Sequence, residues 1–230
     1  MSLTRNPRRV AGLWYLLLCF FGPLRLIYIP SKLFVDGDAA ATVKNILAHE
    51  WLFRFGIVST LAGGVLWIFL ILALYRLFVG VDRNLAVQVA IFGGVMPATL
   101  FFVNAMFDLA ALMVAHGADF LSVFSQPQQD GLVVLLLRLQ HHQNTAAEVL
   151  WGVWLFPLAL LVYRSRFMPR WLGVWLFIDG LANVNLSMTG VLFPQWQGKV
   201  FLYSQPALFG ELALLLWLLI KGATPAELET

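Results

Sequence analysis

Long apolar runs separated by short polar punctuation dominate the chain, and their lengths predict helices that cross a lipid bilayer. A span needs about 20 largely apolar residues, and six stretches read as spans, at about 9–29, 51–78, 85–115, 143–163, 171–193 and, more briefly, 206–220. The stops between them are recognisable: Pro30-Ser31 after the first, Asp82-Arg83 after the second, His116 to Gln126 after the third and Pro194 after the fifth. Pro23 predicts a kink in the first run, and Pro206 suits the first turn of the last. Asp38 is placed to cap a short interfacial helix over 39–48. Ser125 and Gln128 match a capping box, with the glutamine reaching back to the serine. From Ser125 to Tyr163 is too long for one upright span, because at about 1.5 Å per residue it reaches nearly 60 Å. Either the helix is tilted and protrudes, or it breaks near Asn144; an interfacial helix over about 127–142 joined to the fourth span is the compromise expected. The fold class expected is therefore all-α, a single six-helix transmembrane domain over 1–230.

Composition agrees with this pattern. Of 230 residues, 60% are hydrophobic and only 12% charged, against about 25% charged in soluble domains. Nine tryptophans and nineteen phenylalanines suit lipid-facing bulk and interfacial belts. The net charge of +3 does not imply nucleic acid, because most of the basic residues sit in short loops and at the ends. Arg5, Arg8, Arg9, Arg76, Arg83, Arg164, Arg166, Arg170 and Lys221 fall on one side of the six spans, and Lys32, Lys44 and Lys199 on the other. The positive-inside rule then places both termini in the cytoplasm of a bacterial inner-membrane protein. The first run lacks a small-residue cleavage motif and reads as an uncleaved span. Cys19 is the one cysteine, which excludes an intrachain disulfide.

Polar groups inside the spans carry the candidate chemistry, since charges in lipid are costly and mark internal or functional positions. In the fourth helix Arg138, His141, His142, Thr145 and Glu148 recur at threes and fours, on one face roughly 120° wide. Asn104 and Asp108 share a face of the third helix, and Asp179, Asn183 and Ser187 form a ladder on the fifth. Together with Glu211, and with Arg25 and Arg54 at the edge, they predict a polar pocket opening outward. The candidate lining is Arg54, Asp108, Arg138, His141, His142, Glu148, Asn183 and Glu211. A structural reading stands beside it: Arg25, Arg54 and Arg138 nearly neutralise Asp108, Glu148, Asp179 and Glu211. Arg25 and Arg54 also suit snorkelling to the headgroups.

Other chemistry is weakly signalled. His141 and His142 are adjacent, a poor spacing for two metal ligands on one helix, so they and Glu148 make only weak metal candidates and no cofactor is expected. No serine lies in a nucleophile motif. Asp36-Gly37-Asp38 lacks the remaining ligands of a calcium loop and reads as a turn and cap. Gly63-Gly64 and Gly93-Gly94 read as close-packing points or kinks.

Several segments resemble a bacterial membrane-protein family. They are Pro30-Ser31-Lys32-Leu33, Asp36 to Thr42, Leu52-Phe53-Arg54, Leu74 to Leu77, Gly117-Ala118-Asp119, Trp151 to Leu158, Tyr163-Arg164-Ser165, Pro169, Phe193-Pro194, Gly210-Glu211-Leu212 and Trp217-Leu218-Leu219. Together they resemble the family called domain of unknown function 4386 over nearly the whole chain. The resemblance implies a polytopic membrane protein and supplies no catalytic residues. It places the first loop, Arg54, the turn into the fifth helix and Glu211 in a recurring pattern, and the His141-His142 pair outside it. The reading favoured is a protein among membrane lipids that binds a small or amphiphilic ligand, forms a homo-oligomer as an open alternative, and does not bind nucleic acid. Its rivals are an intramembrane enzyme, with Glu148 or Glu211 as base and a histidine as shuttle, and a structural or signalling subunit. A transporter is disfavoured because no internal repeat is visible.

Overall fold

The computed structural model describes residues 7–221, and among them every regular element is helical. Arg5 and both chain ends lie outside the described residues, as do the side chains of Arg8 and Arg9. Helix α1 covers Pro7–Pro23 and continues as a π-helical turn, Leu24–Tyr28, into α2, Ile29–Leu33. After a turn at Gly37, whose φ of +79° suits glycine, α3 covers Ala39–Ala48. The Asp38 carboxylate caps it, accepting from the Ala41 N–H at 2.8 Å. The rest are α4 (Glu50–Phe78), α5 (Arg83–Gln88), α6 (Met96–Ala115), α7 (Gln126–Val153), α8 (Leu155–Arg164), α9 (Arg170–Leu192), α10 (Gln197–Leu208) and α11 (Gly210–Lys221).

Four helical stretches are long and apolar enough to cross a membrane: Glu50–Phe78, Arg83–Ala115, Gln126–Arg164 and Pro194–Lys221. A shorter apolar helix covers Val10–Cys19. The distribution of side chains is that of a lipid-embedded protein. Ile27, Val58, Met106, Val191 and Ile220 are each at least 59% exposed, while Asp108, Asp179 and Ser187 are each 1% exposed. The chain is a multi-pass membrane protein.

Prolines explain where the long helices change course. Pro97 has no N–H for the carbonyl four residues back, which is that of Gly93. There the backbone widens into a π-helix, Val89–Val95, and the Gly93 carbonyl accepts from the Trp67 indole N–H instead. Pro157 strips the Val153 carbonyl in the same way, and α7 stops at Val153. The break expected near Asn144 is therefore displaced: α7 is continuous through Asn144, whose amide is used sideways, and the interruption falls at Trp154. At its start Gln128 reaches back to the Ser125 N–H at 2.8 Å as a capping box requires, but the Ser125 hydroxyl bonds the Gln128 side chain rather than backbone. Pro206 is not in a first turn, because the helix begins at Gln197; it sits inside α10, and the helix breaks three residues later at Phe209.

The chain divides into two compact units, one of Met1–Leu18, Val65–Ala98 and Thr145–Thr230, the other of Cys19–Gly64 and Thr99–Asn144. The first is built on the pairing of α8 with α9, around Leu74, Phe78, Trp154, Leu158, Leu172 and Leu218, all fully buried. Small residues let these backbones approach, as membrane helices without a solvent-driven force require. A Cβ on Gly173 would stand 2.8 Å from the Ala159 carbonyl oxygen, and one on Gly152 would stand 2.5 Å from that of Gly180. The second unit packs Ile29, Leu33, Ile46, Phe53, Leu112 and Val133 into its own apolar core.

Candidate functional site

A polar side chain in a membrane interior must find its partners within the protein, because lipid offers none. In the second unit this requirement assembles a seam between α6 and α7. Asn104 and Asp108 stand one turn apart on α6, and Gln140 and Asn144 one turn apart on α7, with Gln143 beside them. The two helices run antiparallel here, so the contacts form rungs. The Gln140 amide donates to Asp108 Oδ2 at 3.1 Å, Asn104 donates to Asn144 Oδ1 at 2.8 Å, and Gln143 donates to the Leu100 carbonyl at 3.2 Å.

Arg25 completes the seam from the π-helical turn after α1. Its Nη2 pairs with Asp108 Oδ2 at 2.5 Å, and its Nε donates to the Thr60 hydroxyl at 3.1 Å. The Arg25 side chain is 12% exposed and that of Asp108 only 1%, so this is a buried, charge-closed pair. Arg25 therefore does not snorkel as expected. Among the described residues the Asp108 carboxylate pairs with no other cation, and the turn carries the guanidinium inward to it.

Each of these side chains makes its rung, and several oxygens beside the rungs are left over. Asp108 Oδ1, Asn104 Oδ1 and Gln143 Oε1 are buried without a hydrogen-bond partner. A group of such orphans in one region calls for an explanation, since most buried polar atoms are paired.

The first unit holds a second polar group. Asp179 Oδ2 accepts from the backbone N–H of Glu211 at 3.1 Å, satisfying an orphan donor at the start of α11. Asp179 Oδ1 accepts from Asn183 at 2.9 Å. Glu211 in turn accepts from the Tyr15 hydroxyl. Ser187 donates to the Ala146 carbonyl at 3.2 Å, so the Ser187 end of the α9 ladder meets α7 while Asp179 meets the start of α11. Glu148 lies one turn from both Thr145 and Gly152, on the stripe of α7 that packs on α9, and its Oε2 is buried without a partner.

The remaining sequence-predicted residues are placed differently. Arg138, His141 and His142 are exposed, and the packed face of α7 in the second unit is instead Val133, Leu137, Gln140 and Asn144. The two histidine rings contact each other edge-on at 5.8 Å. Arg54 pairs with Glu50 one turn back, and Glu50 also meets His116 at 3.3 Å. The neutralisation of Asp108, Glu148, Asp179 and Glu211 by three arginines is thus met, among the described residues, only by Arg25 with Asp108. Among the described residues no group of three or more His, Cys, Asp or Glu side chains is placed to hold a metal ion. Tyr15, Thr60, Gln140, Gln143 and Asn144 join these groups without being among the residues expected at the pocket; the one-turn spacing of the uncharged amides Gln140 and Asn144 on α7 is the signal that points to them.

A family model described as "Domain of unknown function (DUF4386)" matches residues 10–222. The chain belongs to the DUF4386 family. The resemblance read from the loop and helix-end motifs is thereby confirmed over nearly the full length of this DUF4386 chain. An uncharacterised protein of Archaeoglobus fulgidus is 35% identical over 80 residues, which cover 34% of this chain and 46% of that protein. The match thus spans under half of the relative's length. No solved structure matches the chain.

Proposed function

We propose that this DUF4386 protein spans a bacterial cytoplasmic membrane six times, with both termini in the cytoplasm, and binds a small or amphiphilic ligand at the polar seam of α6 and α7, which opens to the outer side. The ligand-binding part rests on one observation: buried oxygen acceptors, Asp108 Oδ1 foremost, that the protein itself does not satisfy. Leaving such a group unpaired costs about 1–3 kcal/mol, and a bound partner that donates hydrogen bonds removes that cost.

The six-span part is supported by α9, whose 23 residues reach about 35 Å. Its polar residues Asp179, Asn183 and Ser187 are buried, so they lower its apolarity without offering charge to lipid. Basic–aromatic pairs at helix ends suit both interfaces: Lys32 with Tyr28, Lys199 with Trp196, Arg170 with Tyr163 and Lys221 with Trp217. Fusing a reporter that works only in the cytoplasm to the C-terminus is expected to give an active reporter. The same reporter placed after Gly37 is expected to be silent, and the reverse pattern would overturn the orientation.

For binding, the purified chain is expected to gain thermal stability with at least one member of a panel of lipids and polar metabolites. Asp108→Asn should weaken that gain. If nothing in the panel shifts unfolding, the ligand reading fails and the seam is a structural network.

A further inference from the structure

Resting on the proposal that the α6–α7 seam is a ligand site, we infer that it takes an uncharged polyhydroxyl group, either a soluble polyol or the sugar headgroup of a lipid. Three features of the seam lead there. The first is the kind of atom left over. Asp108 offers only oxygens, and Gln143 is oriented by the Leu100 carbonyl, which can only accept, so the free Gln143 atom is the oxygen. The orphans at these two positions call for a ligand that donates.

The second feature is charge. Arg25 and Asp108 pair at 2.5 Å and close the charge of the seam. A cationic donor such as an ammonium would leave a net buried charge in lipid, which is costly. An anion would also leave a net buried charge beside the closed Arg25–Asp108 pair, and it would bring acceptors to oxygens that themselves accept. An uncharged donor avoids both costs, and hydroxyls are the common uncharged donors of small metabolites and headgroups.

The third feature is spread. Each orphan oxygen sits on the same carbon as the atom that makes its rung: Gln143 with Leu100, Asn104 with Asn144, and Asp108 with Gln140. The rungs run from residue 100 to residue 108 of α6, about 12 Å of helix. One compact head cannot reach acceptors so distributed, whereas several hydroxyls on one skeleton can.

The full chain in phosphatidylcholine nanodiscs distinguishes the candidates by native mass spectrometry. The probes are monoglucosyl-diacylglycerol, free glucose and octylamine. Retention of the glycolipid without competition from glucose supports a lipid headgroup, and displacement by glucose supports a soluble polyol. Gln143→Met removes one acceptor at nearly constant length and should weaken retention about tenfold, the equivalent of about 1.4 kcal/mol or one lost hydrogen bond. Asn104→Leu should do the same and serves where the first variant fails to fold. Octylamine retained in preference, and weakened by the same variants, would overturn the polyol class while leaving the site standing. Glycolipid or glucose binding that neither variant alters overturns the assignment to this seam. If none of the three probes binds while the wider panel yields a ligand, the polyol class alone falls. If the panel also yields none, both readings fall.

Discussion

Gly152→Ala and Gly173→Ala are each expected to destabilise the protein by ~1–3 kcal/mol or more, a thermal midpoint lowered by several degrees in detergent. The added methyl group is small, but its surroundings cannot yield. At Gly152 the new Cβ would lie 2.5 Å from the Gly180 carbonyl oxygen and 2.9 Å from the Val184 nitrogen. At Gly173 it would lie 2.8 Å from both the Ala159 oxygen and the Tyr163 nitrogen. These are backbone atoms of a packed helix, and no rotamer change removes them. The helix pair must part, which forfeits dispersion contacts along its length and carries at least the ordinary overpacking cost of about 1–3 kcal/mol. Gly131→Ala is the matched control. It is on α7 with nothing within 4 Å of its would-be Cβ, so alanine should stabilise by about 0.5–1 kcal/mol through backbone entropy. Unchanged midpoints for Gly152→Ala and Gly173→Ala, beside a normal Gly131→Ala, would contradict this packing.

The contrast between these glycines shows what the chain's pattern discloses and what it withholds. Helix positions were legible because apolar run length and the Pro, Gly and Asp punctuation act locally. Asp38 and Gln128 perform the capping that their spacing implies. The Asn104–Asp108 pair on α6 was legible for the same reason, being one turn apart on an otherwise apolar helix. The working face of α7 was not. Two polar stripes wind along it, Gln140 with Asn144 and His141 with Thr145 and Glu148, and helical spacing alone ranks the charged one higher. The structure uses the amide stripe against α6 in one unit and the Thr145–Glu148 end against α9 in the other. Tyr15 donating to Glu211, 196 residues away, leaves no local trace at all. Nor does the inward turn of Arg25, which depends on a π-helical turn that shifts the register of its side chain.

That inward turn makes Arg25 the most exposed point of failure in the second unit. Arg25→Leu is expected to destabilise by ~3–5 kcal/mol, the cost of removing one partner of a buried pair and stranding the other. Asp108 would keep only the Gln140 amide on Oδ2, with Oδ1 already unpartnered. Thr60 suffers less, because its hydroxyl still donates to the Gly56 carbonyl at 3.0 Å. The double variant Arg25→Leu/Asp108→Leu should recover most of the loss, since replacing both charges by apolar groups also removes their desolvation. A thermal denaturation cycle of the wild type, both single variants and the double variant separates the cases. A coupling of several kcal/mol with a near-normal double variant supports a buried pair whose stability value is small and whose charge closure shapes the site. If the single Arg25→Leu variant unfolds like the wild type, Arg25 faces lipid headgroups instead, and the neutral seam on which the polyol assignment rests goes with it.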